Sequence, residues 1–176
     1  RVVALLLSDR VSGLVAIVIY ILILLSIFVS DLPVPYQDYG WVMIPFAVAG
    51  YYAVVYFICK STIGQSWLVL LYSMVIQGLQ MGAAILIANG IGCEVCRMPD
   101  YVFLFFISSI ASAIPVSIGG VGLREATFAF GSQYLNVDDG QAVALSIVFY
   151  LTSLVASLPG IAYMLKPEWI KKHKML

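Results

Sequence analysis

Arg124 and Glu125 directly follow the run Pro115-Val-Ser-Ile-Gly-Gly-Val-Gly122. Gly119, Gly120 and Gly122 would let the backbone approach an anion closely. A helix beginning just after Gly120 or Gly122 would aim its first N–H groups and positive dipole end at that anion. Arg124 adds a planar, permanently charged fork that matches phosphate oxygens. Neighbouring helical residues point in different directions, so Glu125 is expected to balance the charge around Arg124 without pairing with it. Asp9 and Arg10 offer partners from the other end of the chain, as Asp9 with Arg124 or Arg10 with Glu125. The plainer alternatives are that Arg124 and Glu125 cap a turn at the inner surface, and that Asp9 and Arg10 form an interfacial cap.

Other chemistries find little support. A dinucleotide fingerprint counted from Gly120 would need glycine where Glu125 stands, and no Gly-Lys-Ser/Thr follows to make a phosphate loop. His173 is the single histidine and lies in the tail, which leaves no His-based metal site and no Ser-His-Asp arrangement within the chain. No catalytic residue, metal or cofactor is expected. Cys93 and Cys96 form a CxxC without a thioredoxin-like context, which reads as a local disulfide loop or two unpaired thiols. Cys59 reads as a small apolar filler.

The elements that must position these residues follow from composition. Of 176 residues, 62% are apolar and 10% charged, and the mean hydropathy is +1.03. Soluble domains carry about 25% charged residues, so a soluble enzyme, a disordered chain and a nucleic-acid binder are excluded. Nine basic residues balance nine acidic ones, so no global field steers a charged partner. Charge-free stretches at 11–30, 39–59, 61–93, 101–123 and 140–165 each reach the roughly 20 residues a membrane helix needs. The fold class is therefore all-α and polytopic. Full spans are expected at about 11–30, 39–59, 67–89 and 140–165, with a broken hairpin over 101–137.

Basic residues favour the cytoplasmic side, which places Arg1, Arg10, Lys60 and the tail 166–176 inside, and Asp31, Asp38, Glu94 and Asp100 outside. The last span must then run inward, so 101–137 must begin and end outside. Two arrangements satisfy this: a re-entrant hairpin broken at Pro115–Gly122, or two short full spans with a tight inner turn. The density of helix-breaking residues favours the hairpin. Irregular backbone at that depth survives only where protein or a watery cavity satisfies it. A charge at the bilayer centre costs at least about 2.5–3.5 kcal/mol.

Gly78 and Gly82, beside Gln77 and Gln80, have the spacing of a close helix contact across which amides can bond; a polar lining for a headgroup path is the alternative. Ser153, Ala156, Ser157 and Gly160 read as a packing face of the last span. Some of Tyr51, Tyr52 and Tyr56 should turn toward neighbouring helices, where their hydroxyls find partners.

The run Ile114-Pro-Val-Ser-Ile-Gly-Gly-Val-Gly-Leu-Arg-Glu-Ala126, with Ser8-Asp9-Arg10-Val-Ser-Gly-Leu14 upstream, resembles the lysylphosphatidylglycerol synthase transmembrane region. That family includes the flippase domain of multiple peptide resistance factors. The resemblance, together with Arg1 at the first position, implies the C-terminal half of a larger domain. It also implies an inner-membrane protein with its C-terminus in the cytoplasm and broken helices around a lipid-sized cavity. Its partners would be a phospholipid or lipid-linked intermediate that it translocates without altering. Pro115, Ser117, Gly119, Gly120, Gly122, Arg124, Glu125, Asp9 and Arg10 would be the residues that meet the lipid. The alternative is a subunit that presents a lipid-linked substrate to a glycosyltransferase or other envelope-biosynthesis enzyme. A membrane-embedded lipid-modifying enzyme is a more distant rival, because the chain shows no nucleophile or metal cluster for it.

Overall fold

A computed structural model describes residues 2–27, 40–58, 63–113 and 122–164, with side chains over 7–27, 40–57, 64–113 and 122–160. Pro115, Ser117, Gly119, Gly120, Cys59, the loop 31–38 and the tail 166–176 lie outside the described residues. The chain forms α1 (Val2–Ile27), α2 (Gly40–Ile58), α3 (Ile63–Ile91), a single 3-10 turn (Val95–Arg97), α4 (Met98–Ala113), α5 (Leu123–Leu135) and α6 (Asp139–Met164). No strand occurs among the described residues. The fold is all-α and polytopic. Five stretches are long and apolar enough to cross a membrane: Leu7–Ile27, Gly40–Phe57, Gly64–Ile91, Val95–Ala113 and Asp139–Gly160. α5, with 13 residues, reaches only about 20 Å at 1.5 Å per residue.

Helices form here because buried or lipid-facing backbone must satisfy its own N–H and C=O groups. That requirement does not stop where the side chains become polar. α1 accordingly begins at Val2, well before the charge-free stretch, and Asp9 and Arg10 sit exposed within it. Large apolar side chains are exposed along α2 and α3, including Phe46, Phe57, Leu79 and Leu86. Such faces suit hydrocarbon and not water.

Packing runs through small residues and hydroxyls. α1 and α2 are antiparallel, and their close approach falls at Gly40, where a Cβ would come 2.9 Å from the Leu22 carbonyl oxygen. At the other end of that pair the Tyr51 hydroxyl donates to the Ser66 carbonyl (2.9 Å), as expected for one of the α2 tyrosines. The Ser12 and Ser73 hydroxyls meet in the α1–α3 interface at 2.8 Å. Tyr20 donates to the Met74 carbonyl (3.1 Å) and stacks on Phe106 of α4 at 5.3 Å. Its hydroxyl lies where a Cβ on Gly78 would be, 2.8 Å away. Gly78 thus serves helix packing.

Two packing expectations need correction. Among the described residues nothing lies within 4 Å of a Cβ built on Gly82 and the buried Gln77 Oε1 has no hydrogen-bond partner, so the expected side-chain amide hydrogen bond is not seen among them. Residues 151–160 of α6 are exposed throughout, so the Ser153, Ala156, Ser157 and Gly160 face packs on none of the described helices. Small residues permit close approach but do not supply the second helix. α6 also carries Pro159 inside this exposed half.

α4 is the most enclosed helix. Tyr101, Val102, Leu104, Phe105, Phe106 and Ser108 are all buried, and they share one core with Phe128 and Leu135 of α5 and Ala142, Leu145 and Phe149 of α6. Gly131 of α5 lies directly against Leu104. α4 and α5 run antiparallel, forming a hairpin whose open end holds Arg97 and Leu135 and whose closed end holds Ser109 and Arg124.

Candidate functional site

α5 begins at Gly122, whose φ of +89° is a conformation that glycine adopts without the steric cost a side chain brings. Glu125, three residues on, turns back so that its Oε2 accepts the Gly122 N–H at 2.6 Å. This is the carboxylate half of a capping box, placing negative charge on the positive end of the helix. The other oxygen, Oε1, accepts from the Ser146 hydroxyl of α6 at 3.4 Å. Glu125 therefore fastens the start of α5 to itself and to α6, which is the plainer of its two expected roles.

Arg124 points elsewhere, into the wedge between α4 and α6. Its guanidinium carbon stands 4.8 Å from the Phe149 ring centroid and 5.4 Å from that of Phe105. One terminal nitrogen donates to the Ser109 hydroxyl at 3.2 Å. Its Nε is buried and has no hydrogen-bond partner among the described residues. Stacked rings stabilise a cation through their negative faces by about 0.5–2 kcal/mol, but a ring does not discharge it. Five donors are presented, and among the described residues one meets an oxygen; the Glu125 carboxylate is the charge that acts on the guanidinium from the neighbouring position.

The position of this cation can be given along α6. Phe149 stands ten residues into that 26-residue helix, about 15 Å from its first turn at 1.5 Å per residue. Ser146, which holds Glu125, stands seven residues in. Residues 151–160 of α6 are exposed. The closed end of the α4–α5 hairpin therefore meets α6 near its middle.

The pairs Asp9 with Arg124 and Arg10 with Glu125 are not formed. Asp9 and Arg10 are exposed on α1, near the Ser12–Ser73 contact. Arg124 and Glu125 are engaged by α4, α6 and the α5 cap. α1 packs chiefly on α2, α3 and α4, which explains why its charges do not reach α5. Of the candidate residues, Gly122, Arg124 and Glu125 are brought together, and Asp9 and Arg10 stand apart.

Two features went unforeseen. The first is the setting of Arg124, namely Ser109, Phe105 and Phe149, with Ser146 on Glu125 beside it; the serines at 108, 109 and 112 were its only sequence signal. The second is a polar cavity of about 250 Å³ at the open end of the hairpin, lined by Glu94, Arg97, Tyr101, Asn136, Val137, Asp138 and Gln141. There Arg97 pairs with Asp100 at 3.3 Å and donates to the carbonyls of Leu135 and Asn136 (3.1 Å). These are carbonyls at the α5 C-terminus, where Asn136 takes a left-handed conformation. Tyr101 donates to Gln141 Oε1 at 2.9 Å, and Gln141 Nε2 donates to the Gly92 carbonyl at 3.3 Å. Among the described residues no three His, Cys, Asp or Glu side chains gather to hold a metal.

Residues 57–160 match the family described as "Lysylphosphatidylglycerol synthase TM region". No curated protein and no solved structure matches the chain.

Proposed function

The chain belongs to the lysylphosphatidylglycerol synthase TM region family, and on that premise we propose that it translocates phospholipid or lipid-linked intermediates across the cytoplasmic membrane, leaving them chemically unchanged. In this reading the basic tail is cytoplasmic and the α4–α5 hairpin is re-entrant. Arg124 at its closed end meets the headgroup phosphate.

The observation that carries the proposal is the Nε of Arg124, unpartnered among the described residues and held between Phe105 and Phe149 near the middle of α6. A charge at such depth costs at least about 2.5–3.5 kcal/mol. Ring stacking and one serine leave much of that cost unmet, and a passing phosphate would offset it. A phosphate oxygen accepts from the guanidinium, while the neighbouring helix start adds partial positive charge. Glu125 keeps that start in place through its bond to the Gly122 N–H. Its carboxylate also limits how tightly an anion is retained, which favours passage over trapping.

Purified chain in phosphatidylglycerol vesicles, with a fluorescent phospholipid on one leaflet, tests this. Arg124→Ala should slow transbilayer movement by about 10–100-fold, the loss of charge-assisted hydrogen bonds, with the folded yield unchanged; Arg124→Lys should retain part of the rate. An unaltered rate in Arg124→Ala, or wild-type vesicles no faster than empty ones, would sink the proposal.

A further inference from the structure

Cys93 and Cys96 take no part in that reading, yet they flank a mechanically important turn. Cys93 closes α3: its side chain is packed into the core and its N–H donates to the Ala88 carbonyl at 3.0 Å. Cys96 is exposed in the 3-10 turn, its Sγ 3.6 Å from Glu94 Oε2. Both thiols are free. The residue after Cys96 is Arg97, whose guanidinium ties the turn to Asp100 and to the last carbonyls of α5.

We propose that Cys93 and Cys96 form a thiol–disulfide exchange site whose oxidation withdraws Arg97 from the end of α5. The two sulfurs occupy different surroundings, one in the core and one at the surface. A disulfide needs them about 2.05 Å apart, so one side must move. Cys93 is fixed by α3 and by its core neighbours. The 3-10 turn has three residues and two backbone bonds, from Arg97 N–H to the Glu94 carbonyl at 3.0 Å and from Met98 N–H to the Val95 carbonyl. The turn is the weaker side, and it carries Arg97 with it. Gly92, at φ +90°, supplies the bend at which the turn leaves α3.

The co-reactant is an external disulfide. The exposed Cys96 thiolate attacks one of its sulfurs and displaces a thiolate, which takes up a proton. Cys93 then loses its proton and attacks the Cys96 sulfur of the mixed disulfide, expelling the second thiolate. The chain gains one disulfide and loses two hydrogens; the reagent is reduced to two thiols. Burial pushes the Cys93 thiol up from its ordinary value, which makes the second step the slow one. Glu94, Arg97, Asp100, Asp138 and Asp139 collect at this end of the bundle, which marks it as a water-facing end where a polar disulfide can approach.

The inference is independent of lipid movement. The full chain in detergent micelles is treated with glutathione disulfide, and peptide mapping is combined with hydrogen exchange at amides 135–138. A Cys93–Cys96 bond is expected, reversible by dithiothreitol, with exchange at 135–138 rising roughly tenfold on loss of Arg97's charge-assisted hydrogen bonds. Cys96→Ser should abolish both changes. The proposal fails if both thiols stay alkylatable or if glutathione remains on Cys96 without an internal bond. It fails equally if the bond forms while exchange at 135–138 is unmoved, or if the rise persists in Cys96→Ser.

Discussion

Arg97 and Arg124 occupy opposite ends of one antiparallel hairpin and are held in contrasting ways. Arg97 has a carboxylate at 3.3 Å and two carbonyl acceptors. Arg124 has two ring faces, one serine hydroxyl, the charge of the adjoining Glu125 and a buried nitrogen without a hydrogen-bond partner among the described residues. The same side chain is a fastener in one place and an unspent charge in the other. Stability is built at the open end of the hairpin, beside the polar cavity. The closed end carries a buried cation at a cost that, in the proposed function, a lipid phosphate would offset. A residue type therefore says little about role until its counter-charges are counted.

Removing each arginine sharpens that contrast, and the largest effect is expected at the open end. Arg97→Ala leaves Asp100, 7% exposed, without the guanidinium that pairs with it. The folded state should lose about 3 kcal/mol, seen as a lower unfolding temperature in mild detergent. Adding Asp100→Asn should recover part of the loss. Arg124→Met should act in the opposite sense. An apolar chain of similar reach fills the wedge between Phe105 and Phe149, so stability should hold or rise by about 1 kcal/mol in the same melt, even as vesicle transport stops. A fall comparable to that of Arg97→Ala would erase the distinction between the two ends. The smallest change belongs to Glu125→Gln, because a glutamine oxygen can still accept the Gly122 N–H; a shift of only a few tenths of a kcal/mol is expected, against about 1 for Glu125→Ala. If transport also survives Glu125→Gln, the carboxylate's contribution is the cap and not its charge.

The all-helical, membrane-spanning character was legible because charge is scarce: the uninterrupted apolar stretches correspond to helices long and apolar enough to cross a membrane, while the break expected at 115–122 lies, apart from Gly122, outside the described residues. Helix limits were less legible. Asp9 and Arg10 look like a boundary in sequence, yet α1 runs through them, since backbone hydrogen bonding tolerates polar side chains. Which helices touch was not legible at all. In a soluble helix an apolar stripe names the buried face, but here lipid-facing Leu79 and core-facing Phe106 are equally apolar, so periodicity carries no such information. The partners of Arg124 come from α4 and α6 and were hidden for that reason. Arg97 had one local clue, Asp100 three residues on; its reach to Leu135 and Asn136 depends on the hairpin and could not be read from spacing.

Pro159 lies in the half of α6 that no described helix supports. Lacking an N–H, it leaves the Val155 carbonyl without its usual partner one turn earlier, so the last turns can bend where none of the described helices holds them. Bending and tilting are how such a stretch accommodates the thickness of the surrounding hydrocarbon. A thinner or thicker bilayer would redirect the end of α6 long before it disturbed the Arg97 clamp, so the two halves of this helix answer to different masters: one to the protein, the other to the lipid around it.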